Sequence, residues 1–282
     1  MTPTPDSGTI APPHTVTSAD GTRIAYEATG SGPALVLVGG AFSERHFPLT
    51  LELVEQLADS FTVYNYDRRG RGDSGDTSPY SVDREAEDLD AVITAAGGTA
   101  LVWGLSSGAA LAIEAAARGS HISNLACYEP PYVVNADPLR TAIGLRGPIA
   151  ALLAAGEKSK AVSLFMTKGM GMPGVIAFGM KLSPMWKRLT ALANTIPYDL
   201  AVTSAAMKPG VGGAGPELDG SRWASIGCPV TVMVGTKSPE PLRTAAEWAA
   251  SAVPGATLRW MPDQNHTFKP PVVAEALKEM FA

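Results

Sequence analysis

Two short runs, ALVLV at 34–38 and VTVMV at 230–234, place apolar side chains on successive residues, so both faces of each strand must be covered. Covered strands of this kind belong to the middle of a sheet with helices packed on either side. Further β-rich runs lie at 24–27, 61–66, 100–103, 124–128 and 257–261. Between most of them stand helical patterns, at 49–59, 83–96, 107–119, 241–252 and 271–282. Alternating strand and helix predicts an α/β fold with a mostly parallel sheet and helices on both faces.

The alternation breaks once. From about residue 132 to 222 the chain turns helical and rich in methionine, before strand chemistry resumes at CPVTVMVG. An insertion of that length between two strands of one sheet predicts a cap over the carboxyl edge, where open sheets bind ligands. The expected division is therefore a core at 1–131, with residues 1–13 loose, a helical cap or lid at 132–225, and a second core segment at 226–282 completing the sheet. Met166, Met170, Met172, Met180 and Met185 fall in the cap, and most are expected to fill its own interior.

Charge and cysteine content narrow the functional classes. A net charge of -5, with no clustered basic face, argues against nucleic acid or an anionic membrane as partner and for a small molecule. The first fifteen residues lack the basic start and apolar run of a secretion signal, and no stretch reaches the length of a membrane span, so a cytoplasmic location is expected. Cys127 and Cys228 read as free thiols, and no metal-ligand spacing occurs.

Two motifs are discounted. PGVGGAG contains G-x-G-x-x-G at Gly210–Gly215, but no strand precedes it and Pro216 stands where a helix should begin, so it reads as a loop. DRRGRGDSG, at 67–75, alternates bases with acids at a strand end and reads as a turn held by Arg–Asp pairs rather than a phosphate site.

The stretch VWGLSSGAAL carries the chemistry. With 29 glycines in the chain, G-x-S-x-G is weak by itself. Here it follows the strand ALVWG and opens a helix, the arrangement a nucleophile elbow requires. Ser106 takes the apex, with Gly104 and Gly108 leaving room beside it. A hydroxyl needs a base to remove its proton as it attacks, and histidine suits that task near neutrality. Of the four histidines, only His266 lies in a short loop between a final strand and a terminal helix, which a parallel sheet returns to the edge carrying Ser106. The backbone N–H groups of Ala41, in the loop after ALVLV, and of Ser107 are the expected oxyanion donors.

Together VLVGGAF, YDRRGRGDSG, GLSSG, the helical insertion, VTVMVG and NHTF resemble the α/β-hydrolase family over nearly the whole chain. The resemblance implies an eight-stranded, mostly parallel sheet and a Ser–acid–His triad, with no cofactor or metal. One position departs from the pattern. The family's usual acid follows the late strand, where this chain reads GTKSPE and places Ser238. Some members carry the acid at the end of the strand beside the elbow strand, which here is Glu129 in ACYEPPY. The pairing of WGLSSGA with CYEPPY looks most like the branch containing zearalenone-type lactonases. Glu240 and Asp263 are the runners-up.

The reading is a serine hydrolase acting on a small hydrophobic ester or lactone, as a monomer or homodimer, with Phe42, His46, Met180, Met185 and Trp186 as candidate substrate contacts. Two alternatives stay open. One is a cofactor-free oxygenase or perhydrolase on the same fold, and the other a ligand receptor retaining the triad.

Overall fold

The computed structural model describes residues 13–132, 144–208 and 217–282. Eight strands form one sheet in the order β1 (His14–Thr17), β2 (Arg23–Gly30), β4 (Thr62–Tyr66), β3 (Ala34–Val38), β5 (Ala100–Leu105), β6 (Ile122–Tyr128), β9 (Val230–Gly235) and β10 (Thr257–Met261). From β4 to β10 every neighbour is parallel, while β2 pairs antiparallel with both β1 and β4. A separate two-stranded pair joins β7 (Met207–Lys208) to β8 (Glu217–Leu218).

The two-residue period of the strands sorts the core into two layers. Val36, Val38, Val102, Cys127 and Val232 face one side, where they pack with α2 (Val82–Ala95), α3 (Ser107–Ala117) and α9 (Glu240–Ala252). Leu35, Leu37, Trp103, Tyr128 and Met233 face the other, against α1 (Pro48–Leu57) and α10 (Pro270–Phe281). Alternate residues of the same strand therefore serve opposite layers, the physical reason that ALVLV carries no polar position.

Between β6 and β9 the described residues are mainly helical: α4 (Arg146–Ala154), α5 (Lys158–Leu164), a π-helical turn at Phe165–Gly169, α6 (Gly174–Met180), α7 (Pro184–Ala191) and α8 (Ile196–Thr203). They build a third apolar cluster from Ile149, Val162, Phe165, Met166, Trp186, Leu189 and Ile196. Among the described buried members, Phe42 alone comes from outside the insertion, from the loop after β3, with Ala41 packed half-buried against the cluster. No described helix is long and apolar enough to cross a membrane.

The strand at His14–Thr17 departs from the expectation that regular structure begins at residue 24. Its sequence, HTVT, is too short and polar to announce itself, and only Val16 reaches the core. It exists because β2 offers it a ladder. The discounted G-x-G-x-x-G motif at Gly210–Gly215 lies outside the described residues.

Candidate active site

Parallel strands deliver their carboxyl ends to one edge of the sheet, and the chemistry-bearing residues sit just beyond those ends. Ser106 follows β5, Glu129 follows β6, Ser238 lies three residues after β9, and His266 five after β10. Backbone bonds lock these turns together. The Ser106 N–H donates to Tyr128 O at 2.9 Å, and the Glu129 N–H donates to Met233 O at 2.9 Å.

Ser106 adopts φ 54° and ψ -123° between a strand and a helix. Only four described residues other than glycine have positive φ, and Phe42, Ser106 and Glu129 are three of them, all just past strand ends at this edge. Non-glycine residues hold such conformations only where their surroundings impose them, and they cluster at functional sites. The flanking glycines show what imposes this one. A Cβ on Gly104 would lie 2.6 Å from Ala109 Cα, and one on Gly108 would lie 2.2 Å from Val38 O. Gly40 completes the enclosure, since a Cβ there would meet Ser106 Cβ at 3.1 Å.

Glu129 is fully buried, and its carboxylate is divided between two tasks. Oε2 lies 2.7 Å from His266 Nδ1. Oε1 accepts the Gly235 N–H at 2.9 Å and the hydroxyl of Ser238. The runners-up stand elsewhere: Asp263 is exposed and paired with Lys237 at 2.8 Å, and Glu240 is exposed at the start of α9. The loop carrying His266 is braced from several sides. Tyr128 Oη donates to Asn265 O at 2.9 Å, the Gln264 side chain accepts the Lys269 N–H at 2.9 Å, and Gln264 O takes the Lys237 N–H at 2.9 Å. Gly235 permits this approach, because a Cβ there would fall 2.3 Å from Gln264 O.

The positions proposed for oxyanion donors are also built into the edge. Ala41 is half-buried after Gly39 and Gly40. Ser107 is the first residue of α3, where a backbone N–H has no acceptor within the helix. Its hydroxyl donates to Asp199 Oδ1 at 2.7 Å and receives Arg68 Nη1 at 3.1 Å.

The other candidate contacts separate by location. Phe42 is buried and meets Phe165 edge-on at 5.6 Å between ring centres, so it joins the loop after β3 to the helical insertion. Trp186 belongs to the insertion's own core, with its indole N–H donated to Ser159 Oγ at 3.0 Å. Met180 packs half-buried against that core, and Met185 is 37% exposed. His46 is partly exposed beside Glu27, at 3.4 Å.

The run at 67–75 is a turn held by charge pairs, though its partners come from further away than its own sequence suggests. Asp67 is buried and binds Arg45, while the Asp73 N–H returns to Asp67 Oδ2 at 2.9 Å. Arg69 pairs with Asp88 at 2.6 Å and Asp20 at 3.0 Å. Arg68 pairs with Glu85 at 2.7 Å and Asp199 at 2.9 Å, and Arg71 pairs with Asp199 at 2.7 Å. Asp199 carries no motif, and it reaches this turn across 131 residues of sequence, so no local signal marks it. Cys127 and Cys228 are free thiols, and burial pushes the Cys127 thiol well up.

The fold agrees with known proteins. Residues 34–279 match the model of the alpha/beta hydrolase family. The crystal structure of an alpha/beta hydrolase from Sphaerobacter thermophilus is 46% identical, with a TM-score of 0.84 over 95% of this chain and 100% of that one. A thermophilic esterase from Thermogutta terrifontis, 23% identical, shares the fold with a TM-score of 0.62 over 96% of this chain and 98% of its own. A probable oxidoreductase, EphD, of Mycobacterium tuberculosis is 42% identical over 83 residues, which make up 28% of this chain and 14% of that protein. The chain belongs to the alpha/beta hydrolase family.

Proposed function

We propose that this protein is a serine hydrolase that cleaves a carboxylic ester or lactone of a small hydrophobic molecule through an acyl-enzyme on Ser106. The observation that carries the reading is the buried Glu129 carboxylate at 2.7 Å from His266 Nδ1, on the edge where Ser106 occupies its constrained turn. A carboxylate there holds Nδ1 protonated, which leaves Nε2 as the basic nitrogen and stabilises the imidazolium when it forms. The reading is supported by the likeness of the fold to that of the Thermogutta terrifontis esterase.

Ser106 Oγ attacks the carbonyl carbon while its proton passes to His266 Nε2. The carbonyl π electrons move onto oxygen, and the backbone N–H groups of Ala41 and Ser107 receive that oxyanion. Each such donor is worth about 3 kcal/mol in the transition state. Collapse re-forms the carbonyl and expels the alcohol, which takes the proton from Nε2; from a lactone the alcohol stays tethered to the acyl group. A water then gives its proton to Nε2, attacks the acyl carbon, and releases the acid as the proton returns to Ser106. The helical insertion acts as a cap, and Phe42, at its junction with the core, presents an apolar surface beside the oxyanion loop.

The acid assignment is tested by substituting each carboxylate and following p-nitrophenyl ester hydrolysis. Glu129→Gln lowers kcat about 10³-fold or more, as loss of a triad acid does, and Glu240→Gln leaves it unchanged. The reverse ranking overturns the assignment. Oxygen uptake without ester turnover would instead favour the oxygenase alternative on the same fold.

A further inference from the structure

Asp199 sits in the first turn of α8, the last α-helix described before β9, and is 3% exposed. A single oxygen, Oδ1, takes three donors: Arg68 Nη1 at 2.9 Å, Arg71 Nη2 at 2.7 Å and Ser107 Oγ at 2.7 Å. Both arginines continue to the loop after β3. Arg68 Nη1 donates to Gly39 O at 3.2 Å, and Arg71 Nη1 donates to Gly40 O at 2.5 Å and Ser43 O at 3.2 Å.

Peptide planarity gives these contacts a consequence. The Gly40 carbonyl and the Ala41 N–H belong to one planar trans unit, so they point in opposite directions. Whatever fixes Gly40 O therefore aims the Ala41 N–H. Two consecutive glycines offer little resistance to rotation of that plane by themselves. Arg71, with a Ser43 N–H also donated to Gly40 O at 3.2 Å, supplies the restraint from one side of the plane. The second expected donor, the Ser107 N–H, belongs to a residue whose side chain is held by the same Asp199 oxygen.

The network is balanced in charge, although Arg68 Nη2 and Arg71 Nε are buried without a hydrogen-bond partner. Arg68 and Arg71 are balanced by Glu85 and Asp199, all four buried. Removing the carboxylate of Asp199 leaves two adjacent guanidinium groups with one partner. Around it, α8 is anchored to the core by Tyr198, which stacks on Tyr80 at 3.9 Å between ring centres and donates to Asp76 at 3.0 Å.

We propose that Asp199 is a positioning residue for the oxyanion hole, tying the seating of the cap to the orientation of both oxyanion donors. The proposal rests on the reading of Ser106 as nucleophile. A displaced α8 takes away the carboxylate that holds Arg68, Arg71 and the Ser107 hydroxyl, and with it the restraint that these groups pass to the two donors.

The test uses the full chain with Asp199→Asn, Ser107→Ala and Ser106→Ala, assayed on p-nitrophenyl acetate, whose small acyl group makes little demand on the cap. A trifluoromethyl ketone, whose hemiketal oxygen occupies the hole, serves as inhibitor. Asp199→Asn is expected to lower kcat at least 30-fold while KM changes less than threefold, and to weaken the ketone by the same factor as kcat/KM. Ser107→Ala, which keeps the backbone N–H and a good helix former, is expected to lose about tenfold with the same split. It decides the matter alone if Asp199→Asn does not fold. Unchanged kcat and ketone affinity in the folded variants, with Ser106→Ala inactive, overturn the positioning role and leave the nucleophile standing. A loss confined to KM, or one that spares the ketone, overturns it equally. Turnover surviving in Ser106→Ala overturns the nucleophile and this proposal with it.

Discussion

The hydroxyl of Ser238 donates to Oε1 of Glu129, the carboxylate whose Oε2 faces His266 Nδ1 at 2.7 Å. The position after β9, where the family usually carries an acid, thus donates a hydrogen bond to the carboxylate after β6 that we propose as the acid. Ser238→Ala removes one bond to a charged group and should lower kcat about tenfold, in line with the ~1.5 kcal/mol such bonds contribute. Because Ser238 Oγ already reaches this carboxylate, moving the acid back should be geometrically feasible. The double variant Glu129→Ala/Ser238→Asp should recover at least tenfold of the kcat lost in Glu129→Ala, and no recovery would show that the two positions are not interchangeable.

Close packing around the elbow predicts a sharp contrast between two glycine substitutions. A Cβ at Gly108 would lie 2.2 Å from Val38 O and 2.6 Å from Gly39 O, both backbone atoms of the central sheet edge. Gly108→Ala should cost about 3 kcal/mol or more of stability. Gly179, inside α6, has open space where its Cβ would go, and Gly179→Ala should stabilise by about 0.5 kcal/mol. Thermal denaturation of the two variants reads the difference directly, and comparable melting temperatures would contradict it.

Protonation of Asp199 sets a third expectation. Burial alone pushes its carboxyl up, but the charges of Arg71 and Arg68 and the hydrogen bond from Ser107 prevail and hold it below its ordinary 3.8. A carboxyl depressed in the folded state adds stability that is present above its unfolded value and lost as pH falls through the folded one. The gap in melting temperature between the wild type and Asp199→Asn should therefore be constant above about pH 5 and narrow as pH falls below about 4. Scans between pH 3 and 7 show it, and a gap that widens toward acid would refute the assignment.

Much of this was legible in sequence because it is local. ALVLV and VTVMV revealed covered strands, and strand, elbow and helix followed one another around Ser106 without interruption. His266 could be placed on the edge that carries Ser106 because parallel topology leaves few loops there. What escaped is long-range. Glu129 is named by the family resemblance, but nothing local shows that Ser238, 109 residues away, donates its hydroxyl to that carboxylate. Arg68 and Arg71 announce a charged turn, yet their shared partner Asp199 lies in an unmarked helical stretch. Trp186 and Met185 illustrate the same limit: both fall in the helical insertion, while packing alone decides that one fills its core and the other is exposed.

Ser106 should carry the acyl group during turnover, and the intact mass of protein quenched while hydrolysing a slow p-nitrophenyl ester reads that adduct. The wild type should gain one acyl mass, mapped by peptide fragmentation to Ser106, and Ser106→Ala should gain none and hydrolyse no ester above background. An adduct on another residue, or undiminished hydrolysis by Ser106→Ala, would contradict the account.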